Sequence, residues 1–157
     1  MWEKDDISQI EWLVKMMSTD GYNLDFSISS LIEIDRFFQI NYTNGKLLKN
    51  SKFHLFNTFI IIESLHLYIE KILMSIDGVE KIFDYDEKLD HTLHGLKIGD
   101  VEIYTGQLLL KRAKYGFSHS LYPYYYELTK QYFNEDFQES FYEIKKIKPT
   151  KSWWRIR

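Results

Sequence analysis

The sequence predicts a predominantly helical α+β fold in which a long central core helix accompanies a small antiparallel sheet. Apolar residues recur at helical spacing along much of the chain, as Ile7, Ile10 and Val14 do near its start. Residues 53–75 are apolar nearly all round, which is typical of a helix buried in a core. Between residues 79 and 104 the pattern changes to a loose alternation of polar and apolar side chains, which indicates strands.

Capping and helix-ending residues indicate where the helices begin and end. A first helix is expected over residues 6–19, with Asp5 or Asp6 as its cap and Gly21 after its end. Ser27 is a good N-cap for a second helix, which ends near residue 40, before a turn at residues 44–45. Further helices are predicted over residues 53–75, residues 106–115, residues 118 or 120 to 133, and residues 136–146.

Some segments leave alternatives open. Residues 60–62 are three β-branched isoleucines and suit a buried strand, although the length of the apolar segment favours a helix. Residues 22–26 alternate as a short strand or an extended lead-in would. Residues 98–101 suit a tight hairpin turn around Gly99. Residues 148–157 form a basic tail that is either docked or flexible.

The composition indicates one domain and excludes several classes of protein. An aromatic content of 17% with a net charge of only −3 excludes intrinsic disorder. The absence of cysteine excludes a disulfide scaffold, a thiolate zinc site and a cysteine nucleophile. The acidic N-terminus lacks the apolar run of a signal peptide, and the central apolar segment carries charged residues. We therefore expect a single domain over residues 1–157, in the cytoplasm and away from membranes.

The small net charge conceals an uneven distribution of charged residues. Residues 1–100 hold 17 acidic and 10 basic side chains, whereas residues 101–157 hold 6 acidic and 10 basic ones. Acidic residues are densest between residues 76 and 102, and such local fields influence which partners associate. A solvated loop is the simpler alternative. The acidic side chains predicted to contact a partner are Asp77, Glu80, Asp84, Asp86, Glu87 and Asp90.

A tyrosine cluster forms a second candidate contact region. Tyr122, Tyr124 and Tyr126 lie in one predicted helix, together with further aromatic residues. Tyrosine is enriched at interfaces because it combines an apolar ring with a polar hydroxyl group. These side chains therefore suit either a thick aromatic core or an exposed recognition surface, including the interface of a homodimer.

Two groups of histidines and carboxylates suit enzymatic chemistry. His91 and His94 lie three residues apart, near Asp84, Asp86 and Asp90, and these are ligand types that divalent metals accept. In the central helix, Glu63 and His66 can form an acid–base pair, and His54, Asn57 and Glu70 can extend that polar stripe. The alternatives are a solvated loop for the first group and a hydrogen-bonded core pair for the second.

The remaining motifs are weak. Residues 111–114 form a basic helical cluster that, with the tail residues Trp153 and Trp154, suits contact with nucleic acid by charge and stacking. The overall acidity argues against that role. The sequence contains no nucleophile elbow, phosphate-binding loop or dinucleotide fingerprint, so we predict no catalytic residue and no cofactor.

Two stretches resemble parts of small bacterial proteins of unassigned function. The first is the segment 24–27 with Ser30, Leu31 and Asp35, and the second is residues 106–126, with Gly116 before the tyrosine-rich helix. The chain is also similar in character to the immunity proteins that accompany bacterial toxins, which are small, cytoplasmic and often acidic. That resemblance implies non-covalent neutralisation of a cognate toxin, and it carries over no residue roles. We therefore expect a non-enzymatic protein whose acids between Asp77 and Glu102 face a basic toxin surface, as would suit a nuclease.

Overall fold

The computed structural model describes residues 4–148 and confirms a predominantly helical α+β fold. The helices are α1 (Lys4–Thr19), α2 (Leu31–Asn41), α3 (Thr58–Met74), α4 (Thr105–Tyr115) and α5 (Leu121–Thr129). Short 3₁₀ helices cover Ile28–Ser30, Lys52–Leu55, Gly116–His119 and Glu139–Lys146. The strands are β1 (Tyr42–Thr43), β2 (Lys46–Leu47), β3 (Glu80–Asp86), β4 (His91–Ile98) and β5 (Val101–Ile103).

The central helix is helical as predicted, but it begins later than its apolar pattern suggested. Residues 52–55 form a separate 3₁₀ turn, and α3 starts at Thr58 because Asn57 caps it: the Asn57 side chain accepts a hydrogen bond from the Phe59 amide at 2.8 Å. From Ile61 onward α3 buries side chains such as Leu65 and Ile69 against α1 and α4. The isoleucine run is therefore part of a helix.

Other boundaries differ modestly from the prediction. Residues 22–26 form no strand in the structure, although Tyr22 and Leu24 bury their side chains in the core. The helix expected to reach residue 133 ends at Thr129, and the last predicted helix is a 3₁₀ segment that starts at Glu139. Residues 149–157, which include most of the predicted basic tail, lie outside the described residues.

The predicted sheet is present and antiparallel, in the order β3–β4–β5. β3 and β4 pair from Glu80 opposite Lys97 to Asp86 opposite His91, so they form a hairpin, hereafter the acidic hairpin (residues 80–98). Ile98 pairs with Val101, and Gly99 between them has a φ of 59°, which confirms the tight turn. The turn at residues 44–45 likewise joins the two-stranded β1–β2 sheet.

A buried ion pair joins α2, α4 and α5. Asp35 of α2 is fully buried, and its carboxylate accepts hydrogen bonds from Arg112 Nε of α4 at 3.0 Å and from the amides of Leu121 and Tyr122 at 2.9 and 2.8 Å. Burial raises the pKa of Asp35, and the Arg112 guanidinium and the two amides oppose that rise. Asp35 therefore caps the N-terminus of α5 from a helix that is distant in sequence.

The same pair corrects one prediction. Arg112, assigned to an exposed basic cluster over residues 111–114, is 2% exposed and donates a second hydrogen bond to the Asp35 carbonyl at 2.9 Å. Lys111 and Lys114 remain exposed. The cluster therefore exposes two of its three cations, and the third belongs to an internal ion pair. It gives weaker support to nucleic-acid contact than the sequence suggested.

Candidate functional site

The acidic hairpin carries most of the acids that the sequence singled out. Because side chains alternate along a strand, Glu80, Asp84 and Asp86 lie on one face of β3. The β3–β4 register places Glu80 opposite Lys97, and Lys97 in turn lies opposite Glu102 of β5. This face thus carries four carboxylates, with Ile82 between Glu80 and Asp84 and with Lys97 between Glu80 and Glu102, and its net charge is negative.

Two of the predicted contact residues also shape the hairpin turn. Asp86 is half-buried and accepts hydrogen bonds from the amides of Lys88 and Leu89 at 2.9 and 3.3 Å. Asp90 accepts a short hydrogen bond from the Tyr85 hydroxyl and has a φ of 47°. These two carboxylates are therefore partly engaged within the hairpin. Apart from the half-buried Asp86, the predicted acidic contact residues are exposed: Asp77, Glu80, Asp84, Glu87 and Asp90.

The three predicted contact tyrosines differ in exposure. Tyr122 is 1% exposed, packs against Phe137 and accepts a hydrogen bond from the Gln138 amide at 2.8 Å, so the expectation of an exposed side chain is wrong for it. Burial also raises the pKa of Tyr122. Tyr126 is half-buried, and Tyr124 is 43% exposed. Helix α5 packs one of its faces against α2 in the core. Of the three tyrosines, Tyr124 is therefore the most accessible.

Large apolar side chains are exposed beside the acidic hairpin, and the sequence did not reveal them. Phe59 of α3, Phe83 of β3 and Leu110 of α4 are 70%, 66% and 59% exposed, and they line the same cleft; we call them the apolar rim. Leu89, in the hairpin turn, is 72% exposed. Phe59 had been assigned to the core because its segment is apolar on all sides, which leaves helical periodicity no means of showing the outward face.

The apolar rim opens onto a cleft of about 750 Å³ between α3, the acidic hairpin and the start of α4. The cleft brings together the two histidine-containing groups noted in the sequence. Its lining includes Glu63, His66 and Glu70 from α3, and His91 and His94 from β4. About 25 residues separate the two groups in sequence, from His66 to His91, so no local pattern marks them as neighbours.

The α3 group forms a pair other than the expected one. His66 Nε2 lies 3.2 Å from Glu70 Oε2, one helical turn on, whereas Glu63 is exposed. Glu70 is only 7% exposed. A Cβ atom at Gly106 of α4 would lie 3.3 Å from His66 Nδ1, so glycine at this position allows α4 to approach the pair closely. Of the other stripe residues, His54 is exposed in a 3₁₀ turn and Asn57 caps α3.

The two histidines of β4 do not act as a pair. They lie three residues apart in a strand, so their side chains leave opposite faces, whereas the metal hypothesis needs both on one side. His94 packs edge-on against Phe83, with ring centroids 5.1 Å apart. Within residues 4–148, no three histidine, aspartate or glutamate side chains are grouped so that they could hold one metal ion.

Comparisons of the chain with protein-family models, with curated proteins and with solved structures find no match. Among the helices of residues 4–148, none combines the length and the apolarity needed to cross a bilayer.

Proposed function

We propose that the protein is a non-enzymatic binding module that docks a basic partner protein on the acidic hairpin and the apolar rim. The observation that carries the proposal is that one hairpin exposes Phe83 on one face of β3, Asp84 on the other face, and Leu89 and Glu87 in its turn. Large apolar side chains exposed together mark interaction sites on soluble proteins, because each loses solvent contact when a partner covers it. The acids around them select the charge of that partner.

The charge of the acidic hairpin argues for a basic protein rather than nucleic acid or a second copy of the chain. Phosphate groups would face the carboxylates of Glu80 and Asp84 and would be repelled. A symmetric homodimer through this surface would bring the same acids of two copies together. A protein with a basic surface meets neither difficulty, and attraction by opposite charge also raises its association rate.

The partner we propose is a bacterial toxin, most concretely a nuclease, in the cytoplasm of the cell that makes it. A nuclease needs basic groups to bind the phosphate backbone, so its active surface complements an acidic hairpin. The hairpin would cover that surface and exclude the nucleic acid by steric and electrostatic means. The resemblance in character to toxin-immunity proteins supports this proposal, and the fold leaves the hairpin free for such contact.

Co-expression with the product of the neighbouring gene tests the proposal. We expect the two proteins to co-purify, and we expect this chain to protect cells that express the neighbour as a toxin. The double variant Asp84→Lys/Glu87→Lys should weaken the complex at least about tenfold, measured by calorimetry, because it reverses two exposed charges at the interface.

The matched control is Glu127→Lys/Glu143→Lys, which reverses two exposed acids outside the hairpin. It should leave the affinity within about twofold. If the neighbouring product neither binds this chain nor harms cells that lack it, the toxin proposal is wrong. If a complex forms but both double variants bind equally, the acidic hairpin is not the docking surface.

A further inference from the structure

The floor of the cleft has a different character from its rim. Below the apolar rim, Ile62 and Leu67 of α3 supply apolar walls, and the His66–Glu70 pair supplies a polar group between them. The volume of about 750 Å³ lies within the range of about 300–1,000 Å³ that is usual for small-molecule sites. An apolar cleft with a few convergent polar groups is the common form of such a site.

The charged residues that line the cleft restrict the class of ligand that it can bind. The residues that line it include the acids Asp6, Glu63 and Glu70, together with Lys81 and the histidines His66 and His94. Glu70 is the most buried of the three acids. An ionised carboxylate in a partly dry site is stabilised by each cation or hydrogen-bond donor that reaches it, and its two oxygens can accept about four hydrogen bonds. The contact with His66 Nε2 occupies one of these acceptor positions on Glu70.

We propose that the cleft binds a small organic cation, an ammonium group attached to an aromatic body. The ammonium group donates to Glu70 at the floor, where the imidazole of His66 holds the carboxylate in place. The aromatic body lies against Ile62 and Leu67. The rings of Phe59 and Phe83 at the rim pack against this aromatic body, away from the ammonium group.

Other classes of ligand fit less well. An anion would approach three carboxylates, and a purely apolar ligand would remove water from the His66–Glu70 pair without replacing its hydrogen bonds. The inference does not depend on the proposed function, because it rests on the floor of the cleft and not on the charge of the hairpin face. Its test accordingly uses this protein alone, with no partner protein present.

Three probes that share a phenylethyl body and differ in charge test the inference. They are 2-phenylethylamine, the neutral 2-phenylethanol and the anionic 3-phenylpropionate, titrated into the intact chain and followed by calorimetry and by amide chemical shifts. We expect the amine to bind at least about tenfold more tightly than the alcohol, and the carboxylate to bind more weakly than both. The shifted amides should belong to α3, β4 and the start of α4.

Variants of the protein then test whether the ammonium group of the amine binds at Glu70. Glu70→Gln should reduce the affinity for the amine to that for the alcohol, whereas Glu127→Gln, at an exposed position of α5 outside the cleft, should change it by less than about threefold. The probe series on the unaltered protein does not depend on how well either variant folds. Equal affinity for amine and alcohol, tighter binding of the anion, or the absence of shifts at the cleft would each overturn the inference.

Discussion

The junction of α2, α4 and α5 and the acidic hairpin both carry charged side chains, but they use them in opposite ways. At the junction, Asp35 and Arg112 are at most 2% exposed and bond to each other and to the start of α5. In the hairpin, Asp84 and Glu87 face solvent, and Phe83 is exposed on the opposite face of β3 from Asp84. Charges that are satisfied internally hold the fold together, whereas charges and apolar groups left exposed together are available to a partner.

The largest expected effect comes from breaking the buried pair. Asp35→Ala leaves the Arg112 guanidinium buried without its carboxylate and uncaps α5, so the free energy of unfolding should fall by about 3–5 kcal/mol. Urea denaturation followed by circular dichroism measures the loss. The control is Glu143→Ala, which removes an exposed pair with Lys146 and should change the free energy by less than about 0.5 kcal/mol. Equal losses in the two variants would contradict the structural role of Asp35.

The same comparison shows what the sequence could predict. Local signals such as the cap at Ser27 and the turn at Gly99 located most helices and the sheet, because capping and turn preferences act over a few residues. The Asp35–Arg112 pair joins residues 77 positions apart, and nothing in a single sequence marks them as neighbours.

The candidate site was harder to predict for the same reason. The sequence indicated the acids of the hairpin and both histidine groups, but not the cleft that unites them. Periodicity also gave no correct indication of which way two sets of side chains point. Phe59 lies in a segment that is apolar on all sides, so its exposure left no pattern. His91 and His94 lie in a strand, where a spacing of three residues separates side chains that a helix would bring together.

Alkaline pH should destabilise the helical part of the fold, because it ionises buried tyrosines. Burial raises the pKa of Tyr68 from 10 to about 12, and it raises the pKa of Tyr42 to about 12 as well. The unfolded chain ionises these groups near pH 10, so their contribution to stability is fully present below pH 10 and is lost as the pH rises to 12. Ionisation of each tyrosine should therefore lower the free energy of unfolding by roughly 2–3 kcal/mol between pH 10 and pH 12.

Denaturant unfolding at pH 8, 10 and 11.5 measures this loss. Tyr68→Phe serves as the matched variant. It removes the hydroxyl that accepts from the Phe26 amide at 2.9 Å, so the variant starts less stable. Its stability should also fall less steeply above pH 10, since one titrating group is gone. A wild-type protein whose free energy of unfolding stays constant to pH 11.5 would show that these tyrosines ionise as readily in the folded state.

A smaller effect is expected at the start of α2. The Glu135 carboxylate accepts hydrogen bonds from the amides of Ile28 and Ser29 at 3.0 and 3.1 Å, and so caps the 3₁₀ turn that leads into α2. Glu135→Ala should lower the free energy of unfolding by about 1 kcal/mol, which is typical for a lost cap. Asp136→Ala, at the exposed neighbouring position, is the control and should leave it nearly unchanged. A loss shared by both variants would indicate a general charge effect instead of a specific cap.

The smallest effect on stability is expected in the acidic hairpin. Phe83→Ser removes a large apolar side chain, yet Phe83 is 66% exposed, so the free energy of unfolding should change by no more than about 0.5 kcal/mol. Phe53→Ser is the matched control: Phe53 is 2% exposed, and losing its ring from the core should lower the free energy by at least about 3 kcal/mol.

The affinity for the partner should rank the two variants in the opposite order from their stability. At a temperature where both variants are folded, Phe83→Ser should weaken a complex with the partner by at least about tenfold, whereas Phe53→Ser should bind as the wild type does. The two phenylalanines thus separate what the fold needs from what a partner needs. A large loss of stability in Phe83→Ser would instead place its ring among the groups that hold the hairpin against α3, and the apolar rim would then be part of the fold.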